Sequence, residues 1–160
     1  MQPRIEILSE KKLVGKRLKM SLSNNRTVEL WKSFMPRRGE IKDTLSNQLF
    51  SLQVFDSSSE FEAYHGETIF EKWAAAEVDG SEKIPEGLEG FNLPDGLYAV
   101  FLHKGGPATA HKTFEYIFGI WLPHSQYVLD KRPHFEILGD KYKNDDPDSE
   151  EEVWIPVKEK

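Results

Sequence analysis

Hydrophobic and polar positions alternate with strand period over residues 5–8 and 13–22, with the charged Ser9-Glu10-Lys11-Lys12 between them. This predicts an early strand, with a bend at Gly15. From Thr27, an N-cap residue type, the apolar Leu30, Trp31, Phe34 and Met35 fall at helical spacing until Pro36 and Gly39, which predicts a short amphipathic helix. Phe50, Leu52 and Val54 alternate with Ser51 and Gln53, and after the polar Asp56-Ser57-Ser58-Ser59 the stretch 68–78 alternates less strictly. Both predict strands. Residues 79–95 collect glycine, proline and acids and predict a surface connection.

Beyond that connection the order begins again. Residues 97–103 predict a strand, and Gly105-Gly106-Pro107 suits a turn into a helix. That helix carries Ala110, Phe114, Ile117, Phe118 and Trp121 on one face and stops at Pro123, and two more strands follow at 135–138 and 153–157. Strand, helix, strand, strand therefore occurs twice, in pseudo-repeats covering about residues 1–80 and 95–158. The expected architecture is α+β: a single domain over 1–160, a duplicated module forming one antiparallel sheet, two helices on one face, and a ligand pocket between the halves.

Charge and composition narrow the partners. A formal net charge of -6 opposes nucleic-acid binding, which draws on clustered Lys and Arg. The absence of cysteine removes disulfides, thiolate metal sites and thiol nucleophiles and fits a reducing compartment. Charges at Arg4 and Glu6 interrupt any leader-like apolar segment, and no stretch approaches the ~20 apolar residues of a membrane span. A cytoplasmic protein is expected. The histidines His65, His103, His111, His124 and His134 lack metal-site spacing, and no phosphate loop or dinucleotide fingerprint occurs, so no cofactor and no metal are expected. The acidic run over residues 145–152 reads as a solvated surface loop.

Candidate chemistry centres on Glu136, the one carboxylate in Phe135-Glu136-Ile137-Leu138. On a strand it shares a face with Leu138, opposite Phe135 and Ile137. Two readings stand: a solvated sheet face, or a partly desolvated cleft where the acid neutralises a cation or, with a raised pKa, serves as a general base. The tryptophans Trp31, Trp73, Trp121 and Trp154 are either core packing or pocket walls that bind by area and cation–π attraction. Trp121, Trp154, Tyr116, Trp73, Phe101 and Leu138 are the candidate ligand contacts beside Glu136.

The segments 97–107, 116–123, Phe135-Glu136 and 153–157 together resemble the gyrase-inhibitor-like (GyrI-like) small-molecule-binding domains, and the effector-binding domains of bacterial multidrug-sensing regulators of AraC and MerR type. The resemblance spans almost the whole chain. It implies a duplicated strand-helix-strand-strand fold and an aromatic pocket with a strand glutamate, at Glu136, for cationic or aromatic drug-like ligands. Many relatives carry Tyr two residues after that glutamate, where this chain has Leu138. No room is left for a helix-turn-helix reader, so a stand-alone module without direct DNA binding is expected, with its oligomeric state open. The resemblance also implies two alternatives. One is a hydrolase of electrophilic cyclopropane-bearing genotoxins, with Glu136 as general base and Trp154 or Tyr116 positioning the substrate; the other is a protein-binding inhibitor of gyrase type.

Overall fold

The computed structural model describes residues 2–55, 66–143 and 146–160. His65, the polar stretch 56–59 and residue 145 of the acidic run lie outside them. The described chain runs β1 (Arg4–Leu8), β2 (Lys11–Met20), α1 (Thr27–Phe34), a 3-10 turn (Met35–Glu40), β3 (Thr44–Phe55), β4 (Phe70–Val78), β5 (Glu89–Leu93) and β6 (Gly96–Lys104). It continues through α2 (Pro107–Tyr116), a π turn (Ile117–Trp121), α3 (Leu122–His124), β7 (Tyr127–Leu129), β8 (His134–Leu138) and β9 (Glu150–Glu159).

All strand pairings are antiparallel. The order is β1-β6-β9-β8-β3-β4-β2-β5, with β7 added beside the end of β9. The architecture is thus α+β, as expected from the sequence. The chain order is β2, α1, β3, β4 in the first half and β6, α2, α3, β7, β8, β9 in the second, where α3 and β7 interrupt the expected strand, helix, strand, strand order.

Two short links bend this sheet. Ser9-Glu10 joins β1 to β2, and Pro94-Asp95 joins β5 to β6, yet each pair of strands stands near opposite ends of the strand order. A flat sheet would set them about 29 Å apart at the usual strand spacing, whereas two residues reach roughly 10 Å. The sheet therefore curls until its edges meet. Leu8, Leu13 and Leu93 from the two edges accordingly lie in one buried cluster with Phe50, Trp73, Tyr98, Phe135 and Trp154.

The outer face carries the helices. Leu30 and Phe34 of α1 pack on Val14, Leu49, Ala74, Ala76 and Val78. Ile117 and Leu122 pack on Ala99, Phe101, Val153, Ile155 and Val157. Strand alternation assigns the sides: along β9, Val153, Ile155 and Val157 face outward and Trp154 inward.

Several local expectations change. Thr27 is the first residue of α1, not its cap; its N–H donates to Asn25 Oδ1 at 2.9 Å. Pro36 and Pro123 do not stop their helices outright, because each occupies the first turn of a following helical segment, where a missing N–H costs nothing. The connection 79–95 contains β5, which pairs with β2 and is held by that pairing rather than by its own pattern.

Gly15 makes no bend. It sits in β2 between β4 and β5, where a Cβ would collide with the Ala74 carbonyl and lie 2.6 Å from Ala75 Cα. A backbone neighbour cannot yield as a side chain would, so Gly15→Ala is expected to destabilise the protein by about 1–3 kcal/mol. Urea denaturation measures this. An unchanged midpoint would mean that β2 and β4 can separate freely at this point.

Candidate functional site

The outer clusters under α1 and under α2 are separate, and between them runs the strip formed by β3 and β8. Ser51 of β3 and Val153 of β9 flank Glu136 in register, so Glu136 faces outward at the middle of the sheet. Gln53 pairs with His134 on the same face. These are polar positions in an otherwise apolar layer: Ser51, Gln53 and His134 are all buried.

Aromatic rings close the strip. Phe118, in the widened π turn, stacks on His134 at 6.2 Å, and Phe55 meets the same imidazole edge-on at 5.1 Å. Phe114 stacks on Phe118 at 6.5 Å, and Phe55 packs on Phe70 at 5.3 Å. π turns insert one residue into a helix and re-aim the side chains that follow; here the turn lies over the site. His103 Nδ1 and Thr113 Oγ1, 2.7 Å apart, tie α2 to β6.

Glu136 Oε2 is shut off from solvent and has no hydrogen-bond partner, and the same is true of Gln53 Nε2. Burial raises the Glu136 pKa, against the opposing effects of the Lys72 charge and of the Gln53 amide. One carboxylate joins it that sequence reasoning missed. Ile137 pairs with Glu152, which places Glu151 on the outward face one step diagonally from Glu136. Burial, and next the neighbouring Glu136 charge, push Glu151 up to about 8, with Lys72 opposing.

Glu151 belongs to the acidic run read as a surface loop; residues 150–152 are instead the first turns of the β9 ladder against β6. Its signal was the alternation continuing back from Val157 through Val153. His134 is driven down to about 3 by burial, so it stays a neutral ring. Among the described residues no three metal-ligating side chains gather at one point.

The seven residues singled out from the sequence fall in different places. Glu136 and Leu138 share the outer face, Leu138 packing toward the α1 cluster. Phe101, Tyr116 and Trp121 meet in the α2 cluster, with Phe101 edge-on to Trp121 at 5.1 Å and Trp121 stacked on Tyr127 at 6.1 Å. Trp73 and Trp154 do not join them. Both point into the curled interior, because β9 is in register with β8 such that Trp154 stands opposite Phe135, stacked at 5.2 Å.

Each inward indole is held by the same arrangement. Trp73 Nε1 donates to Glu71 Oε1 at 2.9 Å and Trp154 Nε1 to Glu152 Oε1 at 3.1 Å. Arg17 pairs with Glu71 and lies 6.0 Å from the Trp73 ring; Arg4 pairs with Glu152 and lies 5.8 Å from the Trp154 ring. These two tryptophans are core anchors.

Comparison with known proteins identifies the family and the fold. The family model of the GyrI-like small molecule binding domain matches residues 1–158. The transcriptional regulator BrlR of Pseudomonas aeruginosa is 26% identical over 131 residues, covering 81% of this chain and 45% of BrlR. A DNA gyrase inhibitor of Erwinia billingiae is 38% identical over 81 residues, 47% of this chain and 50% of the relative. The chain thus spans about half the length of the curated relatives it matches.

Among solved structures, SAV2435 bound to tetraphenylphosphonium superposes with a TM-score of 0.74 at 18% identity, covering 99% of this chain and 94% of that one. The EcmrR C-terminal domain gives 0.72 at 17% identity, covering 99% and 98%. A hydrolase from Listeria innocua gives 0.61 at 12%, covering 98% and 92%. At these identities the likeness is one of fold. With the family model matched from end to end, the chain belongs to the GyrI-like small-molecule-binding domains.

Proposed function

We propose that this domain binds an organic cation with aromatic character on the outer face of its sheet, with Glu136 as the counter-charge. The observation that carries this reading is the Glu136 carboxyl: one oxygen is buried without a partner, on the strip between the two helical clusters and beside stacked rings. An ionised carboxylate in such surroundings is costly, and a cation brought against it offsets that cost. Rings add area and cation–π attraction. That SAV2435 shares the fold and was solved with tetraphenylphosphonium gives the reading a probe. Phe118, Phe55 and the neutral His134 are the proposed walls, with Phe101, Trp121, Tyr116 and Leu138 around them; Trp73 and Trp154 support the sheet from behind.

A second reading rests on the two carboxyls of raised pKa, Glu136 and Glu151. Such groups suit proton transfer to or from a water, which is what a hydrolase of electrophilic compounds needs. Trp154 cannot position a substrate in that reading, since it lies on the other face.

Titrating tetraphenylphosphonium by calorimetry into wild type and Glu136→Gln tests the binding site. The variant is expected to lose about 1–3 kcal/mol of affinity while gaining stability to urea, because a buried ionisable group has been removed. Equal affinity in both proteins would remove Glu136 from the site. For the hydrolase reading, chromatography of an electrophilic cyclopropane incubated with each protein shows turnover in wild type that Glu136→Gln abolishes.

Affinity for the cation is expected to rise between pH 6 and 9. A cation favours the ionised carboxylates, and Glu151, at about 8, is largely protonated at the lower pH. Each unit by which the cation lowers that pKa adds about tenfold at the upper plateau. For the empty protein the sign reverses: a folded-state pKa raised above the unfolded value stabilises fully below the unfolded pKa, and that contribution is lost as pH rises through about 8. A pH-independent affinity would mean that Glu151 does not sense the ligand.

A further inference from the structure

Glu136 is not alone on its face, and its companions narrow the ligand. Glu151 stands diagonally across the β8–β9 pair, a relation that keeps outward side chains within about 7–8 Å. Gln53, 6% exposed, lies close enough on β3 for its amide to favour the ionised Glu136 carboxyl, yet its Nε2 falls outside hydrogen-bonding geometry. A buried amide donor and a buried carboxylate oxygen are thus left unpaired on adjoining strands, a donor and an acceptor that a polar ligand could satisfy.

Among the described residues the further charged group is Lys72 of β4, whose ammonium acts on both carboxyls. Lys72 pairs with Gln53 across β3–β4 and so shares the outer face. Among the described residues the other titratable groups facing the strip are His134 of β8, and His103 of β6, which is engaged with Thr113. A primary ammonium is thus the cation that the chain itself supplies to this acid pair.

We infer that Glu151 is a second acidic binding residue, and that Glu136 and Glu151 together make the site selective for cations bearing N–H donors, such as protonated amines and amidines, over quaternary onium ions of equal charge. The inference rests on the cation reading of Glu136 given above. Two carboxylates offer several acceptor positions that an N–H cation can fill at once, whereas a quaternary centre presents only charge and methyl surface. In the empty site the Lys72 charge acts on both carboxylates while Glu136 Oε2 stays without a donor, and that charge opposes an incoming cation.

A matched pair of probes tests this: 4-phenylbenzylammonium and its N,N,N-trimethyl derivative, equal in charge and ring and differing in N–H donors. Calorimetry with wild type, Glu136→Gln, Glu151→Gln and Lys72→Met gives the ratio of the two affinities in each protein. Wild type is expected to prefer the N–H form, Glu136→Gln to weaken both probes, and Glu151→Gln to lower the ratio roughly tenfold, as loss of one charge-assisted hydrogen bond does. Lys72→Met, which leaves both acids in place, is expected to tighten both probes alike, because they carry equal charge. An unchanged ratio in Glu151→Gln, or in Glu151→Leu if the first variant does not fold, overturns this inference while a weakened Glu136→Gln leaves the cation reading standing. No loss for either probe in Glu136→Gln overturns both.

Discussion

The curl imposed by two short links is the constraint on which the molecule depends. Ser9-Glu10 and Pro94-Asp95 each join strands from distant places in the sheet order, and the sheet has no flat solution that satisfies both. Curling gives the two faces different tasks. The inner one becomes a closed aromatic core in which Phe50, Phe135, Tyr98 and Trp154 touch ring to ring, while the outer one carries the helices. The strip between the two helical clusters, closed over by Phe118 and Phe55, holds the buried polar residues Ser51, Gln53 and His134, and Glu136 sits there.

A carboxyl in that position opposes folding rather than supporting it. Desolvation raises its pKa, and the nearest help, Lys72 and Gln53, stops short of full compensation, because one oxygen remains without a donor. Arg132 is better served but not completely: its Nη2 donates to the Leu97 and Val157 carbonyls at 2.7 and 3.0 Å and its guanidinium lies 4.7 Å from the Tyr98 ring, while its Nη1 is buried without a partner. Tyr98 in turn donates its hydroxyl to the Pro133 carbonyl at 2.8 Å. An unpaired buried nitrogen is thus not confined to the outer strip; what sets that strip apart is that an acceptor, Glu136 Oε2, and a donor, Gln53 Nε2, are left unpaired on adjoining strands.

Much of this was legible in the sequence, because periods of two and of about 3.6 residues declare strands and helices, and the order of elements with Phe135-Glu136 carried the family resemblance. What failed to show had two causes. Register is a property of strand pairs: whether Trp154 stands beside Glu136 or behind it depends on a one-residue offset between β8 and β9 that neither strand encodes alone. Composition also misled. Glu151 was hidden in an acidic run, and β5 in a stretch rich in glycine and proline, although both belong to ladders that partner strands hold in place. Lys72 carried no signal, since its reach across the sheet exists only once β4 lies two strands from β8.

The strict alternation along β8 and β9 has a consequence for how such a domain diversifies. Along β8 the outward Glu136 lies between the inward Phe135 and Ile137, and along β9 the outward Val153, packed under the second helical cluster, lies next to the inward Trp154. Exchanging Glu136 therefore leaves the inner rings in place, so the chemistry at the centre of the outer strip can change one alternate position at a time, whereas Val153 and its neighbours are tied to the helix they support.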